Sequence, residues 1–228
     1  MTSDPATMRQ LYGRRTGHKL RLGQAALVEQ LLPRLAVPVK GELDAQLLFG
    51  GDRPLWLEIG FGRGEHMAEQ ADAHRDIGII GAEPFLDGVV GALMEVEARG
   101  LTNIRLHNGD ALDVIERLGD ASLDRVFLLH PDPWPKFRHA KRRFVNPGPL
   151  DMLARVLKPG GEFRLGTDHP VYCRWALMQM AKRCDFEWLA STPADWQDRP
   201  VDWPQTRYEA KARRLGHEVW YLRYRRVG

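Results

Sequence analysis

The sequence predicts an α/β fold, a mainly parallel sheet covered by helices on both faces. Three observations predict it. Short apolar runs recur along the chain at 55–59, 77–82, 103–107, 125–129 and 162–165. Stretches of helical periodicity separate them, and that alternation builds parallel βαβ units. The first run leads straight into Gly60, Gly62 and Gly64, a turn joining a strand to a helix.

Residues 1–23 are basic, contain glycine and lack apolar periodicity. They are expected to form an arm that orders partly or on binding, and 24–228 one domain with ample core. Apolar residues at 27, 28, 31, 32 and 35 predict a helix from Gln24 to Leu35, broken by Pro33 and stopped near Pro38. Strand Leu55–Ile59, the glycine turn and a helix to about His74 follow. Next come strand Ile77–Ala82 and helix Phe85–Arg99, with Gly100 placed to cap it. Strand Asn103–His107, helix Leu112–Leu118, strand Arg125–Leu129 and helix Leu150–Leu157 continue the alternation. Lys158-Pro159-Gly160-Gly161 predicts a sharp turn into strand Glu162–Leu165. A helix over Tyr172–Lys182 and strands over Phe186–Leu189 and Glu218–Tyr224 complete the prediction.

Hydrophobic content of 43% and charged content of 28% fit a globular chain rather than a disordered or membrane-embedded one. The net charge is only +3, but its placement is uneven: 1–40 carry seven Lys/Arg against two acids, 136–143 five against none, and 207–228 seven against two. A basic surface on an acidic body points to an anionic partner such as nucleic acid, if those segments share a face. Cys173 and Cys184 are too few for a disulfide framework, and no His/Cys/acid cluster has metal-ligand spacing. No apolar secretory segment and no stretch of membrane-span length is evident, so a cytoplasmic location is expected.

The glycine turn calls for a ligand that approaches the backbone closely at a helix N-terminus. A dinucleotide fingerprint needs a sixth-position glycine, and Glu65 stands there. Glu58, just before the turn, would repel a pyrophosphate but suits a cationic ligand such as S-adenosylmethionine. Glu83 ends the second strand, where an acid can accept ribose hydroxyls. Asp110 ends the third, where it could face the adenine amine. Taken singly, Glu58 also reads as a partner for a neighbouring Arg, and Glu83 and Asp110 as turn or N-cap residues. Their occurrence at three successive strand ends favours a nucleoside site.

At the fourth strand end lies "LLHPDPWPKFRHAKRRF". Each proline fixes φ and biases the residue before it to an extended form, so Asp132 is expected on a rigid turn. Trp134 is open to two readings, stacking on a base or packing in the core. Lys136, Arg138, Lys141, Arg142 and Arg143 fit phosphate contacts better than a solvated loop.

This stretch resembles the signature of the tRNA (guanine-N7-)-methyltransferase family. The resemblance continues through "EIGFGRGEH", "GAEPF", "NGDA", "GTD" at 166–168, "TRYEAKARRLGH" at 206–217 and the basic "YGRRTGHKLRLGQ". It implies a Rossmann-like class I methyltransferase fold, a seven-stranded sheet with the last strand antiparallel. It implies S-adenosylmethionine as methyl donor and N7 of a guanine in the variable loop of tRNA, position 46, as acceptor. Glu58, Glu83 and Asp110, with Gly60, Gly62, Gly64 and Ala111 in the same blocks, match cofactor positions. Asp132 matches the active-site acid, and Lys136, Asp168, Thr206, Arg207, Tyr208 and Glu209 match substrate positions. The chain departs from the pattern at His130, where an aromatic is frequent, at Arg207-Tyr208, and at His169-Pro170 after Asp168. The sequence shows no required protein subunit. Other readings are methylation of a nucleobase amino group, which an Asp-Pro-Pro-aromatic motif rather than Asp-Pro-Trp would serve, and a nucleic-acid-binding scaffold without catalysis.

Overall fold

A computed structural model describes residue 17 and residues 19–228. The basic arm expected over 1–23 therefore falls largely outside the described residues. The predicted first helix is two, α1 (Leu22–Gln30) and α2 (Leu32–Leu35), with Pro33 in the first turn of the second, where its missing N–H has no bond to lose. A short helix not foreseen, α3 (Ala45–Phe49), is capped by the Asp44 side chain and ended by Gly50 at φ +76°.

The βα alternation then runs as predicted: β1 (Leu55–Ile59), α4 (Glu65–Ala73), β2 (Gly78–Ala82), α5 (Leu86–Arg99), β3 (Ile104–His107), α6 (Ala111–Ile115) and β4 (Leu123–Leu129). After a 3₁₀ turn at Phe137–Arg142 come α7 (Pro147–Val156), β5 (Leu157–Thr167), α8 (Pro170–Met180), β6 (Phe186–Trp188), α9 (Ala194–Gln197), α10 (Arg207–Arg214) and β7 (Trp220–Arg226). The turn predicted at 158–161 is instead a bulge inside β5. Leu123 pairs with Leu157 but Arg125 with Glu162, so the extra residues loop out around Gly160 at φ +84° without ending the strand.

The seven strands lie in the order β3-β2-β1-β4-β5-β7-β6, and β7 alone runs antiparallel to its neighbours. Chain direction across the sheet reverses between β1 and β4, and a crevice opens at the carboxyl ends of strands at such a switch point. Alternation along the strands divides the core. Leu57, Val126 and Phe163 face α6, α7 and α8 on one side, while Trp56, Phe127 and Tyr221 face α4, α5 and Trp203 on the other.

Candidate active site

At the switch point β1 delivers Glu58, 2% exposed, into the glycine turn. Gly60, Gly62 and Gly64 all have positive φ, which only glycine adopts without strain. Gly64 needs its bare Cα twice over, since a Cβ there would meet Ala92 Cβ at 2.7 Å. Glu83, at the end of β2, accepts from Gly62 N at 2.9 Å and from Phe85 N at 2.9 Å. Asp110 caps α6 by accepting from Leu112 N at 3.0 Å, with Ala111 buried behind it. Glu83 and Asp110 thus do hold their turns, as one reading of the sequence allowed. Two backbone bonds on Glu83 and one on Asp110 leave lone pairs on each carboxylate for a ligand's hydroxyl or amine. The partner of Glu58 is not an arginine but a histidine: His66 Nδ1 lies 2.7 Å from Glu58 Oε2.

Burial raises the Glu83 carboxyl pKa; the bonds from Phe85 and Gly62 oppose this, and the negative charge of Asp132 adds to it. β4 pairs in parallel beside β1, with Ile59 opposite Leu128, so the fourth strand end opens at the same edge of the sheet. Asp132 itself is exposed. Its turn is not extended throughout: His130 and Trp134 both precede prolines, yet stand at φ +48° and +41°. Left-handed backbone at a non-glycine residue costs about 1–2 kcal/mol, so the fold must hold the turn in place. Arg143 does so. It is 5% exposed, donates to Pro133 O from Nε at 3.1 Å and to Trp134 O from a terminal nitrogen at 2.8 Å, and lies over the Trp175 ring at 4.7 Å. Arg143 is therefore not available as a phosphate contact; its guanidinium already serves two backbone carbonyls of the turn.

The other cations sit as expected on the outside. Lys136, Arg138 and Lys141 are exposed, and Arg142 stacks over Trp134 at 4.8 Å. Trp134 also meets His139 edge-on at 5.9 Å. His139 is held below its ordinary pKa by desolvation and then by Arg142, Arg138 and Lys136.

Residues 206–209 form the start of α10, which lies over the glycine turn. Thr206 caps it by accepting from Glu209 N at 3.0 Å. Glu209, 1% exposed, faces inward against Arg213 at 3.0 Å and Arg199 at 3.4 Å. It is a clamp beneath the helix, not a group facing substrate. Its neighbour Tyr221 is pushed up to about 12 by burial, then by its bond to Glu209. Tyr208 and Arg207 face outward: Tyr208 stacks on His130 at 6.2 Å and covers Gly62, while Arg207 lies 3.7 Å from Glu65. Glu58, Gly60, His130, Thr206 and Tyr208 share the lining of a cavity of about 20 Å³.

Asp168 ends β5 between two histidines, His130 Nδ1 at 3.2 Å and His217 Nδ1 at 3.4 Å. Burial would raise its carboxyl, but these bonds prevail and hold it below its ordinary value. The His169-Pro170 departure has a local cause: the His169 ring caps α8 at Val171 N, and Pro170 occupies its first turn.

A family profile described as "Putative methyltransferase" matches residues 52–222. The tRNA (guanine-N(7)-)-methyltransferase of Zymomonas mobilis is 63% identical over 98% of this chain and 97% of its own length. That of Sphingopyxis alaskensis is 60% identical over the same shares. The chain belongs to the tRNA (guanine-N7-)-methyltransferase family. A solved rRNA methylase from Streptococcus thermophilus superposes with a TM-score of 0.54 at 8% identity, covering 78% of this chain and 89% of that one, a likeness of fold alone.

For a member of this methyltransferase family the fit to S-adenosylmethionine can be judged from the residues present. A glycine cradle with a buried acid before it, and acids at the next two strand ends with lone pairs to spare, suits a cationic nucleoside. Two parts of the site escaped sequence reasoning. His66 stood in the recognised block at 58–66 without a role, and Gln70 left no signal, because what organises the pair is a carbonyl at Asp202. His217 stood in a recognised motif, but its bond to Asp168 spans 49 residues.

Proposed function

We propose that the protein transfers the methyl group of S-adenosylmethionine to N7 of a guanine in the variable loop of tRNA. The observation that supports this reading is that Glu83 and Asp132 follow β2 and β4, the two strands flanking β1 and its glycine turn, with Asp132 on a turn braced by Arg143. S-adenosylmethionine supplies an electrophilic methyl on a sulfonium. Guanine N7 already bears an in-plane lone pair, so no residue has to remove a proton before attack. What the protein contributes is alignment and charge. Asp132 accepts hydrogen bonds from the guanine N1–H and exocyclic amine and offsets the positive charge that develops on the purine. Glu83 accepts the ribose hydroxyls, Glu58 faces the cationic end of the donor, and Asp110 receives the adenine amine. Asp168, Arg207 and Tyr208 meet the substrate, whereas Thr206 and Glu209 act by shaping α10.

Lys136, Arg138, Lys141 and Arg142 contact tRNA phosphates, joined by the basic arm, with 24–228 as the catalytic domain. No described helix is long and apolar enough to cross a membrane, and a tRNA substrate fits a reaction in the cytoplasm. The test is to incubate the protein with labelled S-adenosylmethionine and unmodified tRNA, then map methylation by N7-specific chain cleavage. A single cleavage in the variable loop is expected. Label at an amino group, or cofactor binding without transfer to any tRNA, would overturn the reading.

A further inference from the structure

Beneath the cofactor rim lies a buried chain of polar groups. Glu58, His66 and Gln70 are 2%, 3% and 2% exposed. His66 Nδ1 is 2.7 Å from Glu58 Oε2, Gln70 Nε2 is 3.5 Å from His66 Nε2, and the same Gln70 Nε2 is 2.8 Å from the carbonyl of Asp202. The Phe127 ring edge holds the imidazole at 4.8 Å.

The protons on this chain can be assigned from one end. A carbonyl only accepts, so the Gln70 atom facing Asp202 O must be the amide nitrogen. That nitrogen directs its second N–H towards His66, and a proton on His66 Nε2 would set two hydrogens face to face. Nε2 therefore presents its lone pair, and Nδ1 carries the proton and donates it to Glu58. The same arrangement disfavours an imidazolium, since its Nε2–H would point at the Gln70 amide nitrogen rather than at an acceptor. Asp202 is itself anchored, its carboxylate 2.9 Å from the buried Arg164 guanidinium, so the carbonyl that fixes the tautomer is fixed in turn.

We infer that His66 is a positioning residue for the cofactor carboxylate: a neutral imidazole, protonated at Nδ1, that fixes one oxygen of Glu58 and leaves the other for the methyl donor. This rests on the reading of Glu58 as a cofactor contact. A carboxylate this buried needs a donor, because without one its ionised form is strongly disfavoured. No described group hydrogen-bonds Glu58 Oε1, and Glu58 lines the cavity under the glycine turn.

Three variants and one spectrum test it. In the whole protein with histidine labelled in nitrogen-15, the His66 signals, identified by their loss in His66→Asn, should show a protonated Nδ1 and a bare Nε2. The opposite tautomer or an imidazolium at neutral pH overturns the inference without reference to activity. His66→Leu should weaken S-adenosylmethionine binding on the order of 10- to 100-fold, the usual effect of losing a hydrogen bond to a buried charge. His66→Asn, whose amide can place an N–H near the Nδ1 position, should stay within about threefold of the parent. If His66→Leu lowers the melting temperature but leaves cofactor affinity unchanged, the residue is merely structural and the inference fails. Glu58→Gln separates the two ideas. If it leaves affinity unchanged, the reading of Glu58 falls and the inference with it. If it weakens binding while His66→Leu does not, only the inference falls.

Discussion

Arg143→Ala tests how the acid turn is built. The substitution removes two hydrogen bonds from a charged donor to the carbonyls of Pro133 and Trp134, and the contact with Trp175. Hydrogen bonds to a charged partner contribute about 1.5–3 kcal/mol each, non-additively, and a partly desolvated cation–π contact about 1 kcal/mol. Burying the guanidinium offsets part of this, as does relaxation of the two strained residues, leaving a net loss of about 2–4 kcal/mol. In a chain of 228 residues each kcal/mol shifts the melting point by about 2–4 °C, so a fall of roughly 5–15 °C is expected by calorimetry. The turnover number should fall with it, because Asp132 is no longer held. The salt dependence of tRNA affinity should not change. Arg143→Lys should not rescue, since a single ammonium cannot span both carbonyls. An Arg143→Ala protein with parental melting point and turnover but a shallower salt slope would refute this reasoning and return Arg143 to the phosphate-binding set.

Further predictions follow from the same geometry. Arg138→Ala and Lys141→Ala should each flatten the slope of log affinity against log salt by about 0.7–0.9 without moving the methylation site, checked by filter binding across a salt series. Because burial raises the Glu83 pKa above its ordinary 4.5, cofactor affinity should begin to fall at a higher pH than an ordinary carboxylate would cause; titration calorimetry from pH 8 to 5 checks this, and Glu83→Gln should abolish that pH dependence. Asp168 has the opposite sign. Its depressed pKa contributes stability present above the unfolded value and lost as pH falls through the folded one, so the stability gap between the parent and Asp168→Asn should be full above about pH 3.8 and shrink below it, as acid unfolding of both would show. Gly64→Ala should destabilise by about 1–3 kcal/mol in urea unfolding, from the positive φ and the collision with Ala92 together.

The sheet was legible because each strand's apolar run and each glycine cap is a local signal: Leu55–Ile59 and Gly100 announce themselves without their neighbours. Residues 158–161 misled because Pro-Gly-Gly chemistry marks a chain reversal and a bulge alike, and only the partner strand decides between them. The helix α10 hid because its buried face is Glu209 and Ala212, leaving no apolar periodicity to read. The acids Glu58, Glu83 and Asp110 do stand at the carboxyl ends of successive strands, which their spacing alone made legible. Arg143 was grouped with its neighbours because five cations in a row look equivalent, and what separates it is Trp175, 32 residues on, together with two loop carbonyls. The role of His66 depends on a carbonyl 132 residues from Gln70, a distance no local pattern reports.

The central claim is that the accepting atom is guanine N7, and the most direct measurement replaces that atom. A tRNA carrying 7-deazaguanosine at the target position has a C–H where N7 stood and is otherwise nearly unchanged. It should bind with unaltered affinity and take up no methyl group in a single-turnover assay with labelled S-adenosylmethionine. Methyl incorporation into the deaza tRNA at the rate of the natural one would contradict the account.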